Sequence, residues 1–109
     1  MDLSIDVVNE RDKLIAVLVG EVDVYTAPKL KESLLFLVKK EQTMLEVDMT
    51  GVSYMDSTGL GVIISVLKAA KEHESQLRLS NLQDSVMRLF HITGLDKVID
   101  ISVSIREGR

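Results

Sequence analysis

Leu3, Ile5 and Val7 alternate with Ser4 and Asp6, the two-residue period of a half-buried strand. After a polar turn at Asn9 to Asp12, Leu14 to Val19 is continuously apolar and rich in β-branched residues. A central strand covered on both faces has that composition. Gly20 closes the run, and Glu21 to Tyr25 reads as a loop or short extension. Thr26 is placed to cap a helix, Pro28 fits its first turn, and Tyr25 is placed to staple onto Leu30. Leu30, Leu34, Leu37 and Val38 then share one helical face. Leu45, Val47 and Met49 alternate as a third strand, a second helix covers Leu60 to His73, and Leu77 and Leu79 mark a fourth strand. Asn81 is the expected cap of a third helix carrying Leu82, Val86, Leu89 and Phe90, which Gly94 ends. Val98 to Ile101 reads as a short edge strand.

The order β-β-α-β-α-β-α predicts an α/β domain. Its sheet is mixed but mostly parallel, of four to five strands joined by right-handed βα crossovers, with an antiparallel N-terminal hairpin and helices packed on the sheet. One domain spans residues 1–103, and the polar tail 104–109 is expected to fray.

Composition narrows the partners. The 109 residues include 17 acidic and 13 basic side chains, a net charge of −4. No basic excess exists to neutralise phosphates, which argues against nucleic acid or an anionic membrane as partner. Cysteine is absent, so disulfides and thiolate metal sites are excluded. No apolar run reaches membrane-spanning length, and MDLSID lacks the regions of a signal peptide. The expectation is a soluble, cytoplasmic protein that needs no cofactor.

Candidate chemistry concentrates in SYMDSTGLG, Ser53 to Gly61, at the C-terminal end of the third strand. That end of an open α/β sheet is where sites usually lie. A phosphate-binding loop would need a lysine after the glycines, and none occurs before Lys68. A hydrolase elbow would need glycine two residues before Ser57, where Met55 stands. An aspartic-protease motif would need glycine two residues after Asp56, and Gly59 comes three after it. For metal binding only His73 and His91 are on offer, both near helix ends, where a solvated histidine is favourable.

Ser57 reads first as an N-cap, a role worth ~1 kcal/mol. Two features exceed that role. Gly59 and Gly61 each cost roughly 1 kcal/mol relative to alanine inside a helix, which points to close approach of another backbone. The apolar residues from Leu60 to Ala70 cover roughly 220° of the helix, where one core face needs a stripe of only ~100°. Leu60, Ile63, Ile64 and Leu67 make a core stripe. Val62, Val66 and Ala69 beside it are either buried by a neighbouring helix or form an apolar docking patch next to Ser57.

MDSTGLGVI resembles the signature of the STAS domain. GEVDVYTAPKL, VSYMDSTGLGV and LFHITGLDKVIDI, in that order along nearly the whole chain, are similar to the general-stress anti-sigma factor antagonists of the RsbV type. The resemblance implies a binding protein without catalytic activity. Its partner would be an anti-sigma factor that is also a serine kinase of the histidine-kinase-like ATPase fold. The unphosphorylated form would bind that partner and release a sigma factor, phosphorylation of Ser57 would block binding, and a PP2C-type phosphatase would reset the switch. Carried over by motif, Glu21, Asp23 and Thr26 match the partner-contacting loop, and Asp56, Ser57, Thr58, Gly59, Leu60, Gly61 and Val62 the second contact segment. Some relatives carry a longer final helix, for which SVSIREGR has no helical pattern. The alternatives are a STAS scaffold subunit of a larger signalling assembly and a small nucleotide-binding protein.

Overall fold

The computed structural model describes residues 2–102 of the chain. Strand β1 (Leu3–Glu10) and strand β2 (Lys13–Val22) form an antiparallel hairpin, closed by Arg11 and Asp12. Helix α1 (Ala27–Val38) leads to strand β3 (Met44–Met55), and helix α2 (Ser57–Glu72) to strand β4 (Gln76–Ser80). Helix α3 (Asp84–Thr93), a 3-10 turn (Leu95–Lys97) and strand β5 (Asp100–Ser102) complete the domain. The sheet order is β1-β2-β3-β4-β5, with every pair after the hairpin parallel. This is the expected mixed, mostly parallel α/β sheet. The expected domain end at 103 and the tail 104–109 lie outside the described residues.

Gly20 does not end β2; the strand continues to Val22 through two register shifts. Gly20 has a φ of +133°, and a Cβ there would run into the Asp2 carbonyl. Here the glycine lets the edge strand cross closely and bends the central strand without stopping it. That bend carries Glu21 and Val22 to the level of Tyr54 and Met55 at the end of β3.

The core is one cluster built on Leu18, Leu30, Leu34, Leu45, Val47, Ile63, Leu79 and Phe90. Helix α1 packs along α2, and α3 packs mainly against β3 and the 3-10 turn. Alternation puts Glu46 and Asp48 on the face of β3 opposite Val47. Both are buried all the same, at 1% and 3% exposure. Glu46 is held by Lys13 Nζ at 2.8 Å and by the Ser80 hydroxyl at 2.8 Å. Asp48 accepts from the Thr50 N–H at 3.0 Å. Such charges are tolerated because they are paired and hydrogen-bonded.

One expected cap moves. Helix α3 starts at Asp84, after Gln83, because Asn81 takes a left-handed conformation with φ 59° and cannot lead directly into the helix. Gly94, φ 79°, ends α3 as expected. The Tyr25–Leu30 staple does not form: Leu30 is fully buried and Tyr25 is 83% exposed.

Candidate functional site

Strands β2 and β3 are parallel neighbours, so their C-terminal ends open on the same side of the sheet. Val22 stands opposite Met55, and the two following segments, Asp23 to Thr26 and Asp56 to Thr58, emerge side by side. The sheet therefore brings together the two candidate segments, which lie far apart in the sequence.

The first segment is a built turn. Asp23 Oδ1 accepts from the Tyr25 N–H at 2.9 Å and the Thr26 N–H at 3.0 Å. The Thr26 hydroxyl donates to the Glu21 carbonyl at 2.8 Å and accepts from the Asp23 N–H at 3.0 Å. Thr26 thus occupies the N-cap position of α1 without making the side-chain cap bond, since its hydroxyl is spent on the turn. Asp23 and Thr26 are buried, and their side chains shape the turn from within. Glu21, the next-to-last residue of β2, is half-buried. What the turn projects outward is Val24 and Tyr25, 60% and 83% exposed. Asp23→Ala is expected to cost about 1–3 kcal/mol, because two N–H groups lose their acceptor. Urea melts measure it, and a loss below about 0.5 kcal/mol would show that the turn holds without the carboxylate.

In the second segment the cap is Asp56, not Ser57. Asp56 is extended, and its Oδ1 accepts from the Thr58 N–H at 3.0 Å and the Gly59 N–H at 3.4 Å. The Leu60 N–H goes to the Asp56 carbonyl. Ser57 is therefore the first helical residue, exposed, and its hydroxyl is bonded to none of the described residues. Asp56, Ser57 and Thr58 are all cap-forming types in succession. The carboxylate at Asp56 takes the role that the sequence reading gave to Ser57, and the serine is left free at the helix start.

The two glycines divide the explanation. Gly59 is buried, and a Cβ there would lie 2.6 Å from Met55 Cγ and 2.8 Å from Val22 Cγ1. Its purpose is the close seating of α2 on the strand ends. At Gly61 a Cβ meets nothing within 4 Å. Gly59→Ala is expected to destabilise by about 1–3 kcal/mol through overpacking. Gly61→Ala is expected to stabilise by roughly 1 kcal/mol through helix propensity. Thermal melts of both variants check the pair, and opposite signs are the required result.

The broad apolar arc of α2 has an internal cause. Val62, Val66 and Ala69 are buried at 5%, 0% and 7% exposure, on the helix that packs along α1. At Val66 and Ala69 the docking patch is thus overturned: α1 supplies the second apolar surface, and only Val62 reaches the groove described below. Leu60, at 6%, belongs to the core as well. Of the expected contact segment, Ser57, Thr58 and Gly61 are exposed and Asp56 half-exposed.

An open groove of about 570 Å³ runs beside this helix start, walled by Val24, Ala27, Pro28 and Val62, with Thr58 and Lys31 at its edges. The sequence reading missed Val24, Tyr25 and Lys31. The signal available was an apolar pair set inside a turn, where burial is not expected. His73 caps the end of α2, and His91 Nδ1 lies 3.0 Å from Asp96 Oδ2, so the histidines serve helix ends. Among the described residues no three His, Asp or Glu side chains converge as a metal site. No helix among them is long and apolar enough to cross a membrane.

The model of the STAS domain family matches residues 4–108. The chain belongs to that family. Among curated relatives, the anti-sigma-B factor antagonist of Listeria monocytogenes is 45% identical over 102 residues, covering 93% of this chain and 90% of the relative. That of Bacillus subtilis is 41% identical over 108 residues, covering 99% and 98%. Among solved structures, an anti-sigma factor antagonist from Mycobacterium paratuberculosis superposes with a TM-score of 0.86 at 21% identity, covering 95% and 88%. The Bacillus cell fate determinant SpoIIAA in its phosphorylated form gives 0.70 at 16%, covering 93% of each chain. At those identities the two structures speak for the fold alone.

Proposed function

We propose that this STAS domain is an anti-sigma factor antagonist controlled by phosphorylation of Ser57. Unmodified, it binds an anti-sigma factor that is also a serine kinase of the histidine-kinase-like ATPase fold, and so releases a sigma factor in the cytoplasm. Phosphorylated, it lets go. A PP2C-type phosphatase restores the binding form. The protein has no catalytic step of its own.

The observation that carries this reading is the state of Ser57. A kinase needs an accessible hydroxyl, and the Ser57 hydroxyl is exposed, while the neighbouring Asp56 caps the helix. Modification therefore costs the fold no cap. A phosphate of about −1.5 to −2 charge at a helix N-terminus is stabilised by about 0.3–1 kcal/mol, so the domain should stay folded. The anti-sigma-B antagonists similar to this chain over nearly its full length support the choice of partner.

The test is incubation with the purified anti-sigma kinase of the same organism and ATP, followed by mass-spectrometric site mapping. One phosphate on Ser57, absent from Ser57→Ala, is expected. Equal incorporation into parent and variant would overturn the assignment.

A further inference from the structure

We infer that the groove between the starts of α1 and α2 receives an apolar side chain of the anti-sigma factor, and that Lys31 pairs with a carboxylate beside it. The inference rests on the function proposed above and names the chemistry of the partner's contact.

Three observations meet here. The groove lining is mostly aliphatic, from Val24, Ala27, Pro28 and Val62, with the hydroxyls of Thr58 and Ser65 beside them. Its position is continuous with the switch, because Thr58, the neighbour of Ser57, lies on its edge. Gly61 keeps it open, since a side chain at that position would project into space that is empty to 4 Å. A side chain there would also recover the helix propensity that glycine forfeits, and the sequence leaves the position bare.

Lys31 fixes the sign of the partner. It is exposed on the second turn of α1 and is the cation lining this groove. An exposed charge at the rim of an apolar contact acts mainly through complementarity. A carboxylate is its simplest partner.

The test measures the dissociation constant for the purified anti-sigma factor of the same organism, with ATP omitted so that Ser57 stays unmodified. Gly61→Leu fills the groove from a position with free space, and circular dichroism verifies its fold. It is expected to weaken binding about tenfold or more, the scale of a lost central anchor. Lys31→Glu should also lose about tenfold. Lys31→Met, which keeps an apolar stem, should lose less, and its affinity should be less sensitive to added NaCl than the parent's. Lys29→Glu is the control, as Lys29 is exposed on α1 but does not line the groove. A folded Gly61→Leu that binds as the parent does would overturn the groove contact. Equal losses for Lys29→Glu and Lys31→Glu would overturn the specific carboxylate pair. In either case binding by the parent, with weakening by Ser57→Asp, would leave the proposed function standing. A parent that binds no anti-sigma factor would sink both.

Discussion

Val66→Glu is expected to unfold the domain. Val66 is fully buried on α2, the helix that packs along α1. The change forfeits roughly 1.5–3 kcal/mol of apolar burial. It also buries a carboxylate among the apolar side chains of the core, and a buried unpaired charge costs several kcal/mol more. A domain of this size has about 5–15 kcal/mol of stability in all. The sum is therefore comparable with the whole. Far-ultraviolet circular dichroism should show a largely unfolded chain at 25 °C. Val66→Ala, which adds no charge, should remain folded and lose about 1–3 kcal/mol. A folded, monomeric Val66→Glu that had lost only partner binding would revive the surface reading of this flank and contradict its burial.

The same residue shows where a sequence stops being legible. The apolar arc of α2 is readable from Leu60 to Ala70, but its cause is not. One helix with two apolar flanks fits a partner protein and a neighbouring helix equally well, and only the packing of α1 along α2 decides. The order of elements and the meeting of the two loops were legible, since apolar alternation and the βα sequence dictate which ends share a side. Cap register was not. Asp56, Ser57 and Thr58 differ little in intrinsic preference, and a shift of one residue turns a capping serine into a free one. Glu46 and Asp48 were illegible in another way. Their alternation with Val47 matches a strand with one wet face, yet both are buried, because Lys13 and Ser80 reach Glu46 and Thr50 reaches Asp48. Those partners come from other strands or further along the same strand, and sequence spacing does not announce them.

The cap assignment changes what Ser57 substitutions should do. With Asp56 as cap, Ser57→Ala removes no helix-capping bond and should alter stability by less than about 0.5 kcal/mol. A cap-forming serine would have cost ~1 kcal/mol, so a denaturant melt separates the two assignments. In binding, Ser57→Ala should hold the anti-sigma factor even after prolonged exposure to ATP, because no phosphate can be added. The sigma factor would then stay free. Phosphate on the parent acts through charge: two charges facing one partner carboxylate at ~5 Å repel by roughly 6–7 kcal/mol at an effective dielectric of ~20. Almost complete switching needs about 5.5 kcal/mol of differential affinity, so one phosphate suffices without a change of fold. Ser57→Asp carries one charge and a shorter reach. The same arithmetic gives at most roughly 3 kcal/mol, a loss of affinity of about a hundredfold, and a partial block. Its melt should resemble the parent's, because the new carboxylate sits at the favourable end of α2, though beside Asp56. Thr58→Ala should leave modification at Ser57 intact. Titration calorimetry of the four proteins against the anti-sigma factor orders them. Ser57→Asp binding as tightly as Ser57→Ala would show that charge at this position does not operate the switch.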